Sequence, residues 1–233
     1  MDVNATALLQ FNPRELTSSV LCAVIFRQFS DTIRVQKEHV AVPNLEKIIL
    51  AALDIGRANG FHSTTTRDLA EASGLSMGAI YNYVESKETL LRMILAGVDY
   101  AVENAIVPFD KGEQDDPKMR LHGLIRRHIE VSDILQRWFA FAFLEVKAFD
   151  KAARDQVLQS ELRNERLMAD AIADGTARGL FIDMPPLRLA ALIMPLLQDW
   201  YIKRWKFRKR GMTSSAYVEA VTGFVDRAIA NAL

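Results

Sequence analysis

The sequence predicts an all-α protein, and three observations support that fold class. Apolar residues recur every three or four positions along most of the chain after Pro43, which is the period of an amphipathic helix. No stretch alternates apolar and polar residues between turn residues, as a β-hairpin does. Glycine, proline and capping residues divide the chain into segments of helical length. We therefore expect helices joined by short turns and no β-sheet.

Residues 1–40 are predicted to be an N-terminal extension. One short amphipathic helix is indicated there by Leu16, Val20, Val24 and Ile25. The apolar run at residues 20–26 is far shorter than the ~20 residues that span a bilayer, and residues 1–11 lack the basic side chains of a signal peptide. The helix is interpreted either as an arm that packs on the rest of the protein or as a segment translated only because the start codon was assigned too far upstream. A partner-binding or membrane-surface helix is the alternative.

Helix ends follow from capping and breaking residues. A first helix after Pro43 should end at Gly60, because glycine readily adopts the left-handed conformation of a helix C-terminus, and Phe61 then returns to the core. Later helices are predicted from Lys87 to about Val107, from near Pro117, from Ser132 or Asp133 to Phe149, from Lys151 (capped by Asp150) to Arg178, from Pro185 to about Arg210, and from Thr213 or Ser214.

Residues 64–84 predict two short helices around a tight turn. Thr65 is expected to cap the first helix in a capping box with Asp68, and Gly74 to end it. Ser76 is expected to cap the second helix. The apolar positions that should face inward are Leu69, Ala70, Leu75, Ile80 and Val84. This spacing is typical of a helix-turn-helix, although helix pairs with a glycine turn also occur in other all-α proteins.

The second of these helices is predicted to carry the DNA contacts. An amide side chain such as Asn82 can pair with adenine edges in the major groove, while hydroxyl groups, helix N-terminal N–H groups and lysine hold phosphates. The candidate DNA-binding residues are Thr66, Arg67, Ser76, Met77, Gly78, Tyr81, Asn82, Tyr83 and Lys87.

The composition excludes a strongly basic nucleic-acid-binding protein. The 233 residues carry 29 basic and 29 acidic side chains, and residues 41–100 carry only Lys47, Arg57, Arg67, Lys87 and Arg92 against seven acids. DNA affinity must therefore depend on a few well-placed contacts, with a modest dependence on salt. The single Cys22 and the lack of zinc-ligand spacing fit a reducing cytoplasm, without metal or cofactor.

Four sequence segments resemble the TetR/AcrR family of bacterial repressors. These are residues 65–70, 74–76, 80–84 and 86–91, and the resemblance extends from Asn44 to about Ile94. It implies a three-helix DNA-binding domain, an antiparallel helical ligand-binding and dimerisation domain, a two-fold symmetric operator and release by an effector. Val84 stands where the family often has Phe. We expect an extension at 1–40, a DNA-binding domain at 41–90 and an effector and dimerisation domain at 91–233.

Long apolar stripes on the last two predicted helices indicate a dimer interface. A two-fold four-helix bundle would bury them, and small residues would allow close approach. The candidate interface residues are Trp200, Tyr217, Ala220, Val221, Phe224 and Ala228. Packing within one chain is the alternative.

An inward histidine and several aromatic residues indicate a pocket for a hydrophobic effector. The candidates are His128, Trp138 and Phe141, with ordinary core packing as the alternative. Residues 203–210 carry six cations and no acid. This run is interpreted either as a solvated helix end or as a phosphate site for an effector such as an acyl-CoA, with Arg204 and Arg208 as the candidate ligands.

No catalytic constellation is visible in the sequence. It contains no Gly-rich phosphate loop, Gly-x-Ser-x-Gly elbow or His-Glu-x-x-His motif, and the six-residue spacing of His122 and His128 does not suit one helical face. We therefore expect a homodimeric DNA-binding repressor and not an enzyme. The alternatives are an activator of the same fold, or a helical interaction protein if the outward face of residues 77–83 is buried.

Overall fold

The computed structural model describes residues 15–110 and 115–230, which are helical with no strand. The α-helices are α1 Ser18–Gln28, α2 Glu38–Asn59, α3 Thr66–Ser73, α4 Met77–Ile80, α5 Lys87–Ala105, α6 Val107–Asp110, α7 Pro117–Ile134, α8 Gln136–Leu144, α9 Lys151–Ala177, α10 Pro186–Ile202, α11 Arg204–Lys209 and α12 Ser214–Ile229. The all-α prediction is confirmed. The start of the predicted extension and part of the polar stretch before Pro117 lie outside the described residues. None of the described helices is both long and apolar enough to cross a membrane.

The described chain divides into two compact units. The N-terminal unit consists of residues 15–101 and 135–158, and the C-terminal unit consists of residues 102–110, 115–134 and 159–230. The domain boundary expected between residues 90 and 91 lies inside α5. Helix α8, which follows α7 in sequence, belongs to the N-terminal unit and packs on α2.

Helix α1 packs against α2 and forms part of the N-terminal core. Its buried side chains are Leu21, Cys22, Ile25 and Phe26, whereas Val20 is exposed. The predicted helix is therefore confirmed, but its buried face is rotated from the predicted one, because contacts with α2 decide which face is covered. A Cβ on Gly97 of α5 would lie 2.7 Å from Trp138 and 3.3 Å from Ile25. This close approach of α5 to α1 and α8 requires glycine, and it matches the packing-arm interpretation.

Several predicted helix ends are confirmed by capping geometry. Gly60 has a φ of 77° and follows α2, and Gly179 has a φ of 71° shortly after α9. Asp150 accepts a hydrogen bond from the Ala153 backbone N–H at 2.8 Å at the start of α9. Thr213 caps α12 by accepting from the Ala216 N–H at 3.2 Å.

Several predicted helix boundaries were wrong. Helix α2 begins at Glu38, so Pro43 lies inside it and not before it. Ser132 does not cap a helix, because α7 continues past it and its buried hydroxyl donates to the Ile129 carbonyl at 3.2 Å. The next helix ends at Leu144, and a 3-10 turn at Val146–Ala148 follows it. The helix predicted to reach Arg210 is interrupted at Lys203, which separates α10 from α11.

The core of the C-terminal unit is built around Trp200. Helices α10 and α12 both pack on α7. The Trp200 ring stacks on Tyr217 with a centroid distance of 4.7 Å and lies 5.1 Å from Phe207. The Tyr217 hydroxyl donates to the Leu196 carbonyl at 2.7 Å, which ties α12 to α10. Burial raises the pKa of Tyr217 to about 12.

Candidate nucleic-acid interface

A reciprocal capping box fixes the start of α3. The Thr65 hydroxyl accepts from the Asp68 N–H at 3.2 Å, and the Asp68 carboxylate accepts from the Thr65 N–H at 2.8 Å. The hydrogen bonds from Thr65 lower the pKa of Asp68 below its ordinary value. Gly74 ends the helix in the left-handed conformation, with a φ of 69°. The capping box and the helix end at Gly74 were predicted from the sequence and are confirmed.

Helix α4 is short and is held at both ends. Ser76 caps it by accepting from the Ala79 N–H at 3.1 Å, as predicted. The helix ends at Ile80, and a turn continues to Tyr83. We call residues 76–83 the reader segment. Leu69, Ile80 and Val84 are buried, as expected, and anchor the helix pair to the core.

The outward side of the reader segment is open to solvent. Met77 and Tyr81 are 47% and 45% exposed, and Ser76 and Gly78 are exposed beside them. The hydroxyls of Tyr81 and Thr66 lie 3.4 Å apart, so the two helices share a polar surface. Among the other predicted residues, Arg67 is exposed, and Asn82 and Lys87 are partly exposed.

Lys87 is held in place beside this surface. Its ammonium group donates to the His62 carbonyl at 2.7 Å and lies 5.1 Å from the centroid of the Phe61 ring. An ammonium group has three N–H donors, so two remain for another acceptor. The lysine is thus oriented without losing its capacity to bind a phosphate.

Tyr83 does not point outward as predicted. Its side chain is buried, and its hydroxyl accepts a hydrogen bond from Asn44 Nδ2 of α2 at 2.9 Å. The chain leaves α4 through a turn rather than continuing the helix, so the helical spacing used in the prediction ends before this residue. Tyr83 anchors the reader segment to α2 and is not a candidate DNA contact.

Gly78 has no packing role inside the protein. A Cβ added at this position would meet nothing within 4 Å. A glycine inside a helix costs about 1 kcal/mol relative to alanine, and α4 gains nothing from it in return. A small residue here instead leaves the outer surface of the reader segment flat enough for close approach by another molecule.

One contact of the reader segment was missed by the sequence analysis. The Arg34 backbone N–H, in the connection between α1 and α2, donates to the Asn82 carbonyl at 2.8 Å. The signal available in the sequence was the pair of cations Arg34 and Lys37 that follows the apolar Ile33, but no local pattern relates this segment to residue 82.

The candidate effector residues fall into both units. Trp138 and Phe141 belong to the N-terminal unit: the Trp138 indole donates to Ser18 Oγ at 3.1 Å, and Phe141 lies edge-on to Phe61 at 5.4 Å. A Cβ on Gly56 of α2 would lie 2.5 Å from Phe141. Phe141 therefore docks α8 on α2, and Trp138 docks it on α1 and α5.

His128 and Arg204 belong to the C-terminal unit. His128 is buried with its ring 6.4 Å from that of Tyr201, and burial lowers its pKa to about 4. Arg204 lies 4.1 Å above the Trp200 ring and pairs with Asp133 at 2.9 Å. Its charge is therefore compensated within the protein, whereas Arg208 is exposed.

No set of three or more potential metal ligands lies together in residues 15–110 and 115–230.

Half of the candidate dimer residues are buried within the chain, and the other half are at least partly exposed. Trp200, Tyr217 and Val221 lie in the core of their own unit, so they cannot form a surface between subunits as predicted. The predicted apolar stripe is present on α10 and α12. Its buried side packs within the same chain, where both helices contact α7. Phe224 and Ala220 are exposed, and Ala228 is partly exposed.

Comparisons with known proteins cover most of the chain. The sequence profile of bacterial regulatory proteins of the tetR family matches residues 48–94, and that of the tetracyclin repressor-like C-terminal domain matches residues 114–227. The HTH-type transcriptional regulator HbdR of Aromatoleum sp. (strain CIB) is 26% identical over 173 residues, which are 74% of this chain and 75% of HbdR.

Solved structures share the fold. PfmR, a TetR family regulator of Thermus thermophilus, has a TM-score of 0.67 and 22% identity over 77% of this chain and 97% of its own. AibR, solved with isovaleryl coenzyme A and operator DNA, has a TM-score of 0.66 and 18% identity over 78% of this chain and 97% of its own. Together with the capped helix-turn-helix, the two matching profiles identify this chain as a member of the TetR/AcrR family of DNA-binding transcriptional regulators.

Proposed function

We propose that this protein is a homodimeric repressor that binds a two-fold symmetric operator and releases it when a small hydrophobic effector binds. The observation that carries the proposal is the α3–α4 pair, which is capped at both helix starts and leaves Met77 and Tyr81 exposed. A helical interaction protein without DNA was the alternative if this face were buried, and its exposure argues against that alternative.

The exposed groups of the reader segment have different roles in this proposal. Asn82 and Met77 contact base edges in the major groove, and Gly78 lets the helix approach closely. The remaining groups, Thr66, Arg67, Ser76, Tyr81 and Lys87, contact the phosphate backbone and position the helix without reading sequence.

Selection of bound duplexes from a random library tests the proposed DNA binding. We expect one enriched motif with two-fold symmetry, since a symmetric dimer presents two reader segments to two half-sites. A bound pool without a motif would contradict the proposal. A reporter gene behind the selected operator then distinguishes a repressor, which lowers expression, from an activator, which raises it. Binding of operator DNA also implies a cytoplasmic location.

The proposed dimer forms through the outward faces of α10 and α12. Leu187 and Leu192 on α10 are 53% and 64% exposed, and Phe224 on α12 is 60% exposed. A Cβ on Gly223 would meet only the flexible end of Arg227, at 3.9 Å. Several large exposed side chains on these two helices favour an apolar interface, and the small residues Ala220 and Gly223 allow close helix contact.

Sedimentation velocity tests the dimer. Leu192→Glu with Phe224→Glu should convert the protein to a monomer, because charges would be buried without partners at the interface. Leu158→Glu is the matched control, since Leu158 is similarly exposed but lies on α9. A wild-type monomer, or a dimer in the doubly substituted protein, would contradict this interface.

The proposed effector site lies in the C-terminal unit. His128 is buried there, and Asn164 Oδ1 and Trp200 Nε1 are buried without a hydrogen-bond partner among the described residues. A ligand with both an apolar chain and polar groups would satisfy them. The exposed Arg208 could hold a phosphate, and AibR has been solved with isovaleryl coenzyme A. We therefore propose an acyl-CoA or a similar lipophilic molecule.

Calorimetry with medium- and long-chain acyl-CoAs tests the effector class. Binding should release operator DNA in the same concentration range. Asn164→Leu should weaken binding of all chain lengths, while Arg208→Ala should weaken CoA esters but not the free fatty acids. Absence of binding heat for every ester would overturn the proposed class without affecting the DNA-binding proposal.

A further inference from the structure

The connection between α1 and α2, residues 29–37, lies against the reader segment. We propose that this connection is a second DNA-binding element, in which Arg34 and Lys37 contact phosphates that flank the base pairs read by residues 76–82. The inference rests on the proposed DNA binding and extends its surface. The matched family profile begins at residue 48, so the connection lies outside it.

The connection has a defined shape. The Thr32 hydroxyl and the Ile33 N–H both bond to the Phe29 carbonyl, at 2.9 and 3.1 Å. Gln36 Nε2 donates to the Ile33 carbonyl at 2.9 Å, and the Ile33 side chain is buried. The segment is thus a packed turn with its own hydrogen bonds and not an irregular linker.

One contact joins this turn directly to the reader segment, and a second joins the reader segment to α2, the helix that follows the turn. The Arg34 N–H bonds to the Asn82 carbonyl at 2.8 Å, and Asn44 of α2 bonds to the Tyr83 hydroxyl at 2.9 Å. Because a helix in the major groove is bordered by a phosphate backbone on each side, cations held at its C-terminal end are positioned to reach one of them.

The cations of the connection are available for an external anion. Arg34 and Lys37 are exposed, and neither forms an ion pair with another described residue. The neighbouring Glu38 carboxylate is bonded to Arg27 at 2.9 Å and is therefore already paired. Asp31 is the one acid within residues 29–37, which leaves the connection with a net positive charge.

The positive charges of Arg34 and Lys37 would compensate for the excess of acidic side chains in the DNA-binding domain. Residues 41–100 carry five basic and seven acidic side chains, which does not favour a polyanion. Each phosphate neutralised on duplex DNA adds about −0.9 to the slope of log affinity against log salt concentration. Two contacts from the connection would therefore add about −1.8 to that slope.

The test is the salt dependence of operator binding for Arg34→Ala with Lys37→Ala, measured by fluorescence anisotropy on the library-selected operator. The Arg34 contact with Asn82 uses the backbone N–H, so alanine preserves it and the fold. We expect a slope shallower by about 1.8, with the same loss on operator and on scrambled duplex. Arg34→Lys with Lys37→Arg should keep the slope, because both charges remain.

Arg57→Ala is the matched control, because Arg57 is an exposed cation of α2 beside Phe141 and Leu144 of α8. It should leave the slope unchanged. An unchanged slope in the Arg34 and Lys37 variant, with operator binding intact, would overturn this inference while leaving the proposed function standing. Failure of the wild-type protein to select any operator would instead overturn the proposed function.

Discussion

Residues 203–210 and the surroundings of the reader segment use their basic side chains in opposite ways. Residues 203–210 carry six cations, yet Arg204 is paired with Asp133 and stacked on Trp200. Lys203 and Lys206 both pair with Asp199. The reader segment and its surroundings carry few cations, but Arg34, Lys37 and Arg67 are exposed.

The difference shows that charge density along a sequence does not measure charge available to a ligand. Asp199 makes the point: burial raises its pKa, but hydrogen bonds from Lys206 and Lys203 outweigh burial and hold the pKa below its ordinary value. Much of the dense run therefore stabilises the C-terminal unit. At the reader segment, helix caps and a backbone hydrogen bond position a small number of free groups.

The largest expected effect on DNA binding is at Gly78. Gly78→Leu should reduce operator affinity by on the order of 100-fold, because a side chain on this flat surface would hold the helix away from the base edges. The free energy of unfolding should not fall, since a Cβ there meets nothing and glycine is a poor helix former. Anisotropy and thermal unfolding give the two values. Ala72→Leu, an exposed alanine on α3, is the control and should affect neither.

His128 should make stability depend on pH. Burial lowers its pKa from 6.5 to about 4, so the unfolded chain takes up the proton first. The stabilisation is complete above pH 6.5 and is lost as the pH falls towards about 4, by on the order of 3 kcal/mol. Denaturant unfolding of wild type and His128→Gln across this range measures the difference. A constant difference between the two proteins would contradict burial of a neutral histidine.

Arg204 and Arg208 provide a direct comparison within the basic run. Arg204→Ala should cost about 1–2 kcal/mol of stability, because it removes the contact with Trp200 and leaves Asp133 unpaired. Arg208→Ala should change stability by less than about 0.5 kcal/mol, as expected for an exposed side chain. Equal effects in chemical unfolding would show that the two cations are not used differently.

The last effect is expected at the capping box and is smaller than that of Arg204→Ala. Thr65→Ala should destabilise α3 by about 1 kcal/mol, while Thr65→Ser, which keeps the hydroxyl, should cost much less. Because Asp68 has a lowered pKa, its contribution is present above the pKa of the unfolded chain and is lost as the pH falls through the folded value. Asp68→Asn should therefore flatten the acid limb of the unfolding curve.

Local features of this fold were predictable, and long-range ones were not. Thr65, Asp68, Gly74 and Ser76 each act on backbone within a few residues of themselves, so their spacing is enough to place both helices of the helix-turn-helix. Burial of Tyr83 depends on Asn44, which lies 39 residues away in sequence.

The apolar stripe of α12 also shows that long-range packing could not be predicted from the sequence. Tyr217 and Phe224 belong to one apolar stripe in the sequence. Trp200 of α10 and Phe207 of α11 cover the first, whereas the second is exposed. The period of a helix identifies an apolar face. It does not indicate whether that face meets the same chain or another copy.

The specificity ratio is the most direct test of the account, which holds that a sparsely charged surface binds DNA through well-placed contacts. Affinities for the selected operator and for a scrambled duplex should be measured at the same salt concentration, for wild type and Asn82→Ala. We expect the operator to bind at least about 1,000-fold more tightly, and Asn82→Ala to lose preference at one base-pair position per half-site. Equal affinity for both duplexes in the wild-type protein would contradict the account.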